Sequence, residues 1–149
     1  MNVKQKFKAY VAIYLVLIKD EQVLMLLRSG NALYQGGKYS LVAGHLDGGE
    51  TAKQGIMREA GEEAGITLNS DDLEVVHMMH RQSKDREYID IFLRAEKWTG
   101  DVKNMELEKC DELKWFALNN LPKNIVPEVK QALENIKKKV SFSEFGWDE

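Results

Sequence analysis

The sequence predicts an α/β (α+β) fold, an α/β/α sandwich in which a mixed β-sheet lies between helices. Three observations carry that expectation. Val11 to Ile18 reads VAIYLVLI, a strand-forming run without clean polar alternation, as expected of a strand covered on both faces. Two stretches, Thr51 to Gly65 and Pro127 to about Lys139, carry apolar residues at helical spacing. Between and around them lie several strand-length apolar runs separated by polar turns.

The chain of 149 residues fits one domain, 1–149, long enough to bury about two-thirds of its unfolded surface. Hydrophobic residues make up 44% and charged residues 30%, a globular rather than disordered balance. A formal net charge of −3 gives no general attraction to a nucleic-acid polymer. Cys110 is the one cysteine, so no internal disulfide forms and a reducing compartment is expected. The longest apolar run is eight residues, too short to span a membrane, and MNVKQKFKAY lacks a signal-peptide core. A cytoplasmic protein, monomer or homodimer, is expected.

Taken in order, Phe7 to Lys19 reads as a strand, Asp20-Glu21 as a turn and Val23 to Arg28 as the hairpin partner. Arg28 opens the glycine-containing loop SGNALYQGGK, where its fork suits substrate phosphates. Tyr39 to Val42 is a short strand leading to the turn GHLDGG, in which His45 is placed to touch a phosphate or a metal-bound water. Thr51 is a good N-cap and Gly65 a good left-handed terminator for the helix between them. Ile56, Met57, Ala60 and Ala64 form its apolar stripe. Glu59, Glu62 and Glu63, at i, i+3 and i+4, converge on a neighbouring stripe, where their mutual repulsion favours a hard divalent cation. Leu73 to Arg81 is the next strand, with His77 and His80 on opposite sides and His80 or Arg81 lining a substrate pocket. Tyr88 to Lys97 follows, with Ile89, Ile91 and Leu93 on one face and Phe92 on the other. Lys114 to Ala117 reads as the last strand, with Trp115 in the core. The final helix, 127–139, starts at Pro127 and buries Val129, Leu133 and Ile136. The tail 140–149 carries Phe142, Phe145 and Trp147, and is expected to dock on its own domain or on another subunit.

Within residues 44–66 the spacing is specific. Gly44, Glu50, Arg58-Glu59-Ala60, Glu62-Glu63 and Gly65-Ile66 stand at the intervals of the Nudix box, with Ala60 the smallest residue that its aliphatic position accepts. Seven positions fixed in identity make a chance match on the order of one in a million. The chain therefore resembles the Nudix hydrolases. Trp98, Gly100 and the later Glu106 resemble the MutT-like subgroup within them.

That resemblance implies a metal-dependent hydrolase of a nucleoside diphosphate linked to another moiety. It implies Mg²⁺ (or Mn²⁺) held by Glu59, Glu62 and Glu63, with the backbone carbonyl of Ala43 and the carboxylate of Glu106 as further ligands. Glu108, Asp111 and Glu112 are alternatives to Glu106. Either Glu59 or Glu106 serves as general base. Arg58 points off the metal stripe and pairs with Glu50, fixing the turn against the helix. Asn124, two residues after Pro122, stands where a MutT-like asparagine hydrogen-bonds a purine. The expected partner is a small nucleotide, foremost a nucleoside triphosphate cleaved to monophosphate and pyrophosphate. ADP-ribose or a nucleotide sugar is the alternative, although the proline expected for ADP-ribose about fifteen residues past the box is Arg81 here. A Nudix-fold binding module without catalysis is the reading from another class, and it sits poorly with an intact set of glutamates.

Overall fold

A computed structural model describes residues 4–147; residues 1–3 and 148–149 of the expected domain and tail lie outside the described residues. β1 (Tyr10–Lys19) and β2 (Gln22–Arg28) form the expected hairpin, although β1 begins at Tyr10 rather than Phe7. The hairpin pairs only at its closed end, Ile18 with Val23 and Lys19 with Gln22. Beyond that point the strands splay, and the chain 39–45 enters the gap. Its first part, β3 (Tyr39–Ser40), pairs with β2, and its second, β4 (Val42–His45), pairs with β1. This wedge opens the cleft on which the rest of the molecule converges.

The sheet is mixed, as expected. β6 (Arg86–Ala95) runs parallel to β1, while β5 (Glu74–Ser83) is antiparallel to β6. β7 (Cys110–Ala117) pairs antiparallel with β2 and starts four residues before the expected Lys114. Trp115, expected in the core, is only half buried, packed at its margin against Trp98. β7 is not the last strand. The tail contributes β8 (Phe142–Phe145), parallel to β5 at the end of the sheet, so it docks on its own chain. A four-residue strand with alternating burial carries too short a pattern to announce itself in the sequence.

Two helices cover the two faces. α1 (Ala52–Ala64) begins at Thr51, whose side chain accepts from Gln54 N–H while the Gln54 side chain accepts from Thr51 N–H. That reciprocal box supplies partners for two backbone donors that the helix itself leaves open. Gly65, at φ 67°, ends it in the left-handed conformation. α2 (Pro127–Lys137) starts on Pro127, as expected, and ends two residues early. The burial of β1 explains its unbroken apolar run. Ala12, Tyr14 and Val16 pack in the layer of α2 with Val129 and Leu133, and Ile13, Leu15 and Leu17 pack in the layer of α1 with Ile56, Ala60 and Ala64. A strand buried on both sides has no polar face to show. Among the described residues no helix is long and apolar enough to cross a membrane.

Candidate active site

A cavity of about 750 Å³ follows the wedge between β1 and β2. At one end it is lined by Ala43, Gly44, Glu63 and Glu106, at the other by Arg81 and Glu128. Leu26, Leu41 and Val126 supply apolar wall between the two ends, and Lys84 and Arg86 of the β5–β6 hairpin stand with Arg28 and Lys109 among its basic lining residues.

The acidic end is assembled from three segments. α1 brings Glu59, which is buried, Glu63, which is half buried, and Glu62, which is exposed. β4 brings Ala43, whose N–H donates to Glu63 Oε1 at 3.1 Å. In an antiparallel ladder the N–H and C=O of one residue point to the same edge, so the Ala43 carbonyl lies on the edge that faces Glu63. The loop after β6 brings Glu106. Lys103 and Met105 donate their N–H groups to the carbonyls of Ala64 and Glu63, which α1 leaves open at its C-terminus, so the loop is laced onto the helix end. Asn104 braces the loop from within, accepting from Glu106 N–H and donating to the Cys110 carbonyl. Gly100, at φ 94°, makes the bend beside Gly65 that this route requires.

The electrostatics match that assembly. Burial pushes the Glu63 carboxyl up to about 8 despite the Ala43 N–H, and the neighbouring Glu59 and Glu106 add to the rise. Burial also raises Glu59, against the Arg58 guanidinium, with help from Glu62 and Glu106. Glu50, fully outside this crowd, is lowered by Arg58. Gly44 lets the acid sit so close, because a Cβ there would overlap the Glu59 carboxylate. Gly55 plays the matching role in the core, where a Cβ would lie 2.6 Å from a Leu46 methyl and 2.7 Å from an Ile13 methyl.

Arg58 departs from expectation. It does take Glu50 with two bonds, Nη2 to Oε2 at 2.8 Å and Nε to Oε1 at 3.1 Å. It does not point off the metal stripe: its Nη1 donates to Glu59 at 2.9 Å and to Glu62 at 3.3 Å. Among the described residues no three His, Cys, Asp or Glu side chains stand gathered as a ready-made cation site. The reason is visible in these contacts, since Glu59 and Glu62 share a guanidinium and Glu63 accepts a backbone N–H. The donor chemistry nonetheless fits a hard divalent cation, with carboxylate and carbonyl oxygens converging around a glycine too small to block them.

Of the other end the sequence offered only Arg81, the alternative to His80 as a pocket-lining residue; Tyr34, Asp90 and Glu128 were missed. Arg81 donates to both oxygens of Asp90, Nε to Oδ2 at 2.6 Å and Nη2 to Oδ1 at 3.0 Å, and its guanidinium lies 4.0 Å from the Tyr88 ring centroid. Glu128 Oε2 is 3.6 Å from Arg81 and also accepts from the Tyr34 hydroxyl, which burial and this bond together hold up at about 12. Asp90 was detectable in one respect, as a carboxylate at period two between Tyr88 and Phe92 on a strand face that packs inward.

The remaining expected residues divide. Arg28 lines the cavity, its Nε bonded to the Tyr34 carbonyl at 2.8 Å. His45 lines it as well, its ring 5.8 Å from Tyr10 and 5.5 Å from Tyr88. His80 does not. The strand alternation that sends Arg81 into the cavity turns His80 to the other face, where it bonds Glu87 and packs against Trp147. Asn124 also lies outside the lining, its amide donating to the Gly37 carbonyl at 3.2 Å to tie the 29–38 loop down. His77 is a core histidine, with both ring nitrogens bonded, to the Val140 carbonyl and the Ser143 hydroxyl.

Comparison with known proteins places this arrangement. The NUDIX domain model matches residues 7–136, a span that includes the whole cavity and stops short of β8. An ADP-ribose pyrophosphatase of Methanocaldococcus jannaschii is 28% identical over 123 residues, 80% of this chain and 70% of that protein. An NAD-capped RNA hydrolase, NudC, of Pseudomonas aeruginosa is 27% identical over 111 residues, but the chain spans only 36% of its length. A MutT NUDIX hydrolase from Burkholderia pseudomallei superposes with a TM-score of 0.78 at 22% identity, covering 86% of this chain and 98% of that one. A MutT protein from Methanosarcina mazei Go1 gives 0.77 at 20% identity, covering 91% and 98%.

Proposed function

Since this chain belongs to the NUDIX family, and is a pyrophosphohydrolase acting on a nucleoside diphosphate derivative, we propose that its substrate is a nucleoside triphosphate, cleaved to a monophosphate and pyrophosphate. The observation that supports this reading is the two-ended cavity. An acidic end with Lys109 beside Glu106 suits a cation–polyphosphate unit, and apolar wall leading to a polar floor suits one base. Its volume, about 750 Å³, is in the range of single small-ligand sites.

Glu59, Glu62, Glu63 and Glu106, with the Ala43 carbonyl, are the residues that would hold Mg²⁺ or Mn²⁺. When bound, such a cation neutralises phosphate oxygens and lowers the pKa of water. The chain's own residues supply the rest. Arg58 carries two bonds to Glu50 and so fixes the GHLDGG turn against α1. Arg28 and Lys109 stand by to hold phosphate oxygens, Arg28 with a fork suited to two of them. Glu59 or Glu106 accepts the proton of the attacking water; Glu106, on a loop and half buried, and Glu59, buried against Gly44, are both within this end.

A second reading is an ADP-ribose or nucleotide-sugar pyrophosphatase, favoured by the similarity to the M. jannaschii enzyme. The test is kcat/KM for the common ribo- and deoxyribonucleoside triphosphates, ADP-ribose and nucleotide sugars, with products separated by anion exchange. Monophosphate and pyrophosphate from triphosphates, at the highest kcat/KM in the panel, is the expected result. Turnover confined to ADP-ribose or sugar nucleotides transfers the assignment to the second reading.

A further inference from the structure

Arg81 and Glu128 line the floor of the cavity, Asp90 is buried behind Arg81, and the pairing of the two carboxylates with the one guanidinium is unequal. Asp90 has both oxygens bonded to Arg81. Glu128 is 2% exposed, yet only its Oε2 has partners, the Tyr34 hydroxyl and, at 3.6 Å, Arg81. Among the described residues Oε1 accepts from nothing, and the residue lines the cavity. Oε1 is not among the fully enclosed polar atoms left unpaired, so the little exposure that Glu128 keeps opens this oxygen to the cavity, where a donor on a ligand can reach it. Val126, just before α2, and Leu41 offer apolar wall to the same cavity, suited to the faces of a flat ring.

We propose that Glu128 is a specificity-determining residue, its open oxygen accepting from an exocyclic amino group on the substrate's base. The inference rests on the reading that this cavity takes a nucleotide. It selects amino-bearing bases over their oxo counterparts, because exchanging the amine for a carbonyl removes the donor and sets two acceptors face to face. A site built around one such bond rejects the analogue lacking it by leaving its own buried group unpaired. Tyr34 and Arg81, both on Oε2, hold the carboxylate so that Oε1 faces the ligand.

The test compares amino and oxo partners, adenosine with inosine and cytidine with uridine. They are measured as triphosphates by kcat/KM with Mg²⁺, and as monophosphates by calorimetric binding without it. The expected result is at least a tenfold preference for the amino partner in the ring size that binds better. Glu128→Gln should shrink that ratio at least tenfold, since the amide presents a donor as readily as an acceptor. The ratio is insensitive to a general loss of activity, and the wild-type comparison stands alone if the variant does not fold. Equal treatment of amino and oxo partners by the wild-type protein overturns the proposal. So does a preference that follows the ribose 2′-hydroxyl instead, measured as ATP against dATP. Amino-selective binding of monophosphates without triphosphate hydrolysis upholds this inference while removing the triphosphate reading. No binding of any nucleotide removes both.

Discussion

Glu62 is the exposed member of the α1 glutamates, and among the described residues its one side-chain hydrogen bond is with Arg58. Glu62→Gln is therefore expected to lower turnover by orders of magnitude while leaving the thermal midpoint within a few degrees, read from initial rates and a melting curve on the same sample. An unchanged rate would remove Glu62 from the cation set. Glu63 makes the complementary case, because its effect is on stability. Its folded carboxyl titrates at about 8, above the ordinary value of 4.5. The folded state thus binds the proton more tightly than the unfolded chain does. Its stabilising contribution is complete below the ordinary value and lost as pH rises through about 8. Without added cation, the melting temperature should fall from about pH 6 to about pH 9 more steeply in the wild type than in Glu63→Gln. A parallel fall in the two would place the titration elsewhere. Cation binding at neutral pH should also release a proton, because a ligating carboxylate must be ionised.

At the scale of elements, the stretch that positions the acids was the most legible part of the chain. Thr51, Gly65, Gly44 and the glutamate spacing are all local, so sequence distance maps directly onto one turn and one helix. Thr51→Ala removes half of the reciprocal cap and should cost about 1 kcal/mol, measured by denaturant unfolding. Gly44→Ala acts on a contact that is not local. The added methyl overlaps the Glu59 carboxylate, so activity should drop well beyond any change in stability. Equal activity would show that Glu59 can move without consequence. The cavity floor was illegible for the opposite reason. Tyr34, Asp90 and Glu128 come from a loop, a strand and the first turn of a helix, and nothing in any one segment marks the other two. The spacing of Asn124 from Pro122 did not tell that it stands outside the cavity lining with its amide nitrogen donating to the Gly37 carbonyl. Arg58 was half read, since pairing with Glu50 follows from spacing but its reach to Glu59 and Glu62 depends on side-chain rotamers.

For the whole molecule, the sandwich was readable from β1, whose unbroken apolar run calls for a layer on each side, taken with the two helical stretches that supply those layers. The tail was not. Its strand β8 completes the edge beyond β5; Val140 just before β8 and Ser143 within it are the two partners of the buried His77 ring, and Trp147 Nε1 beyond it donates to the His80 carbonyl at 2.9 Å. Ending the chain at Lys139 should therefore lower the melting temperature markedly, and an unchanged midpoint would reduce β8 to an ornament of the edge. The same architecture leads to one functional claim, that wedge, helix and loop bring acids to one end of a nucleotide cavity in order to hydrolyse a phosphoric anhydride. Its most direct test is the initial rate of hydrolysis of a nucleoside triphosphate as Mg²⁺ is raised from zero, for the wild type and for Glu62→Gln side by side. A saturable rise in the wild type, with the variant flat across the same range, is the predicted result. Equal rates in the two proteins, or a wild-type rate indifferent to the cation, would contradict it.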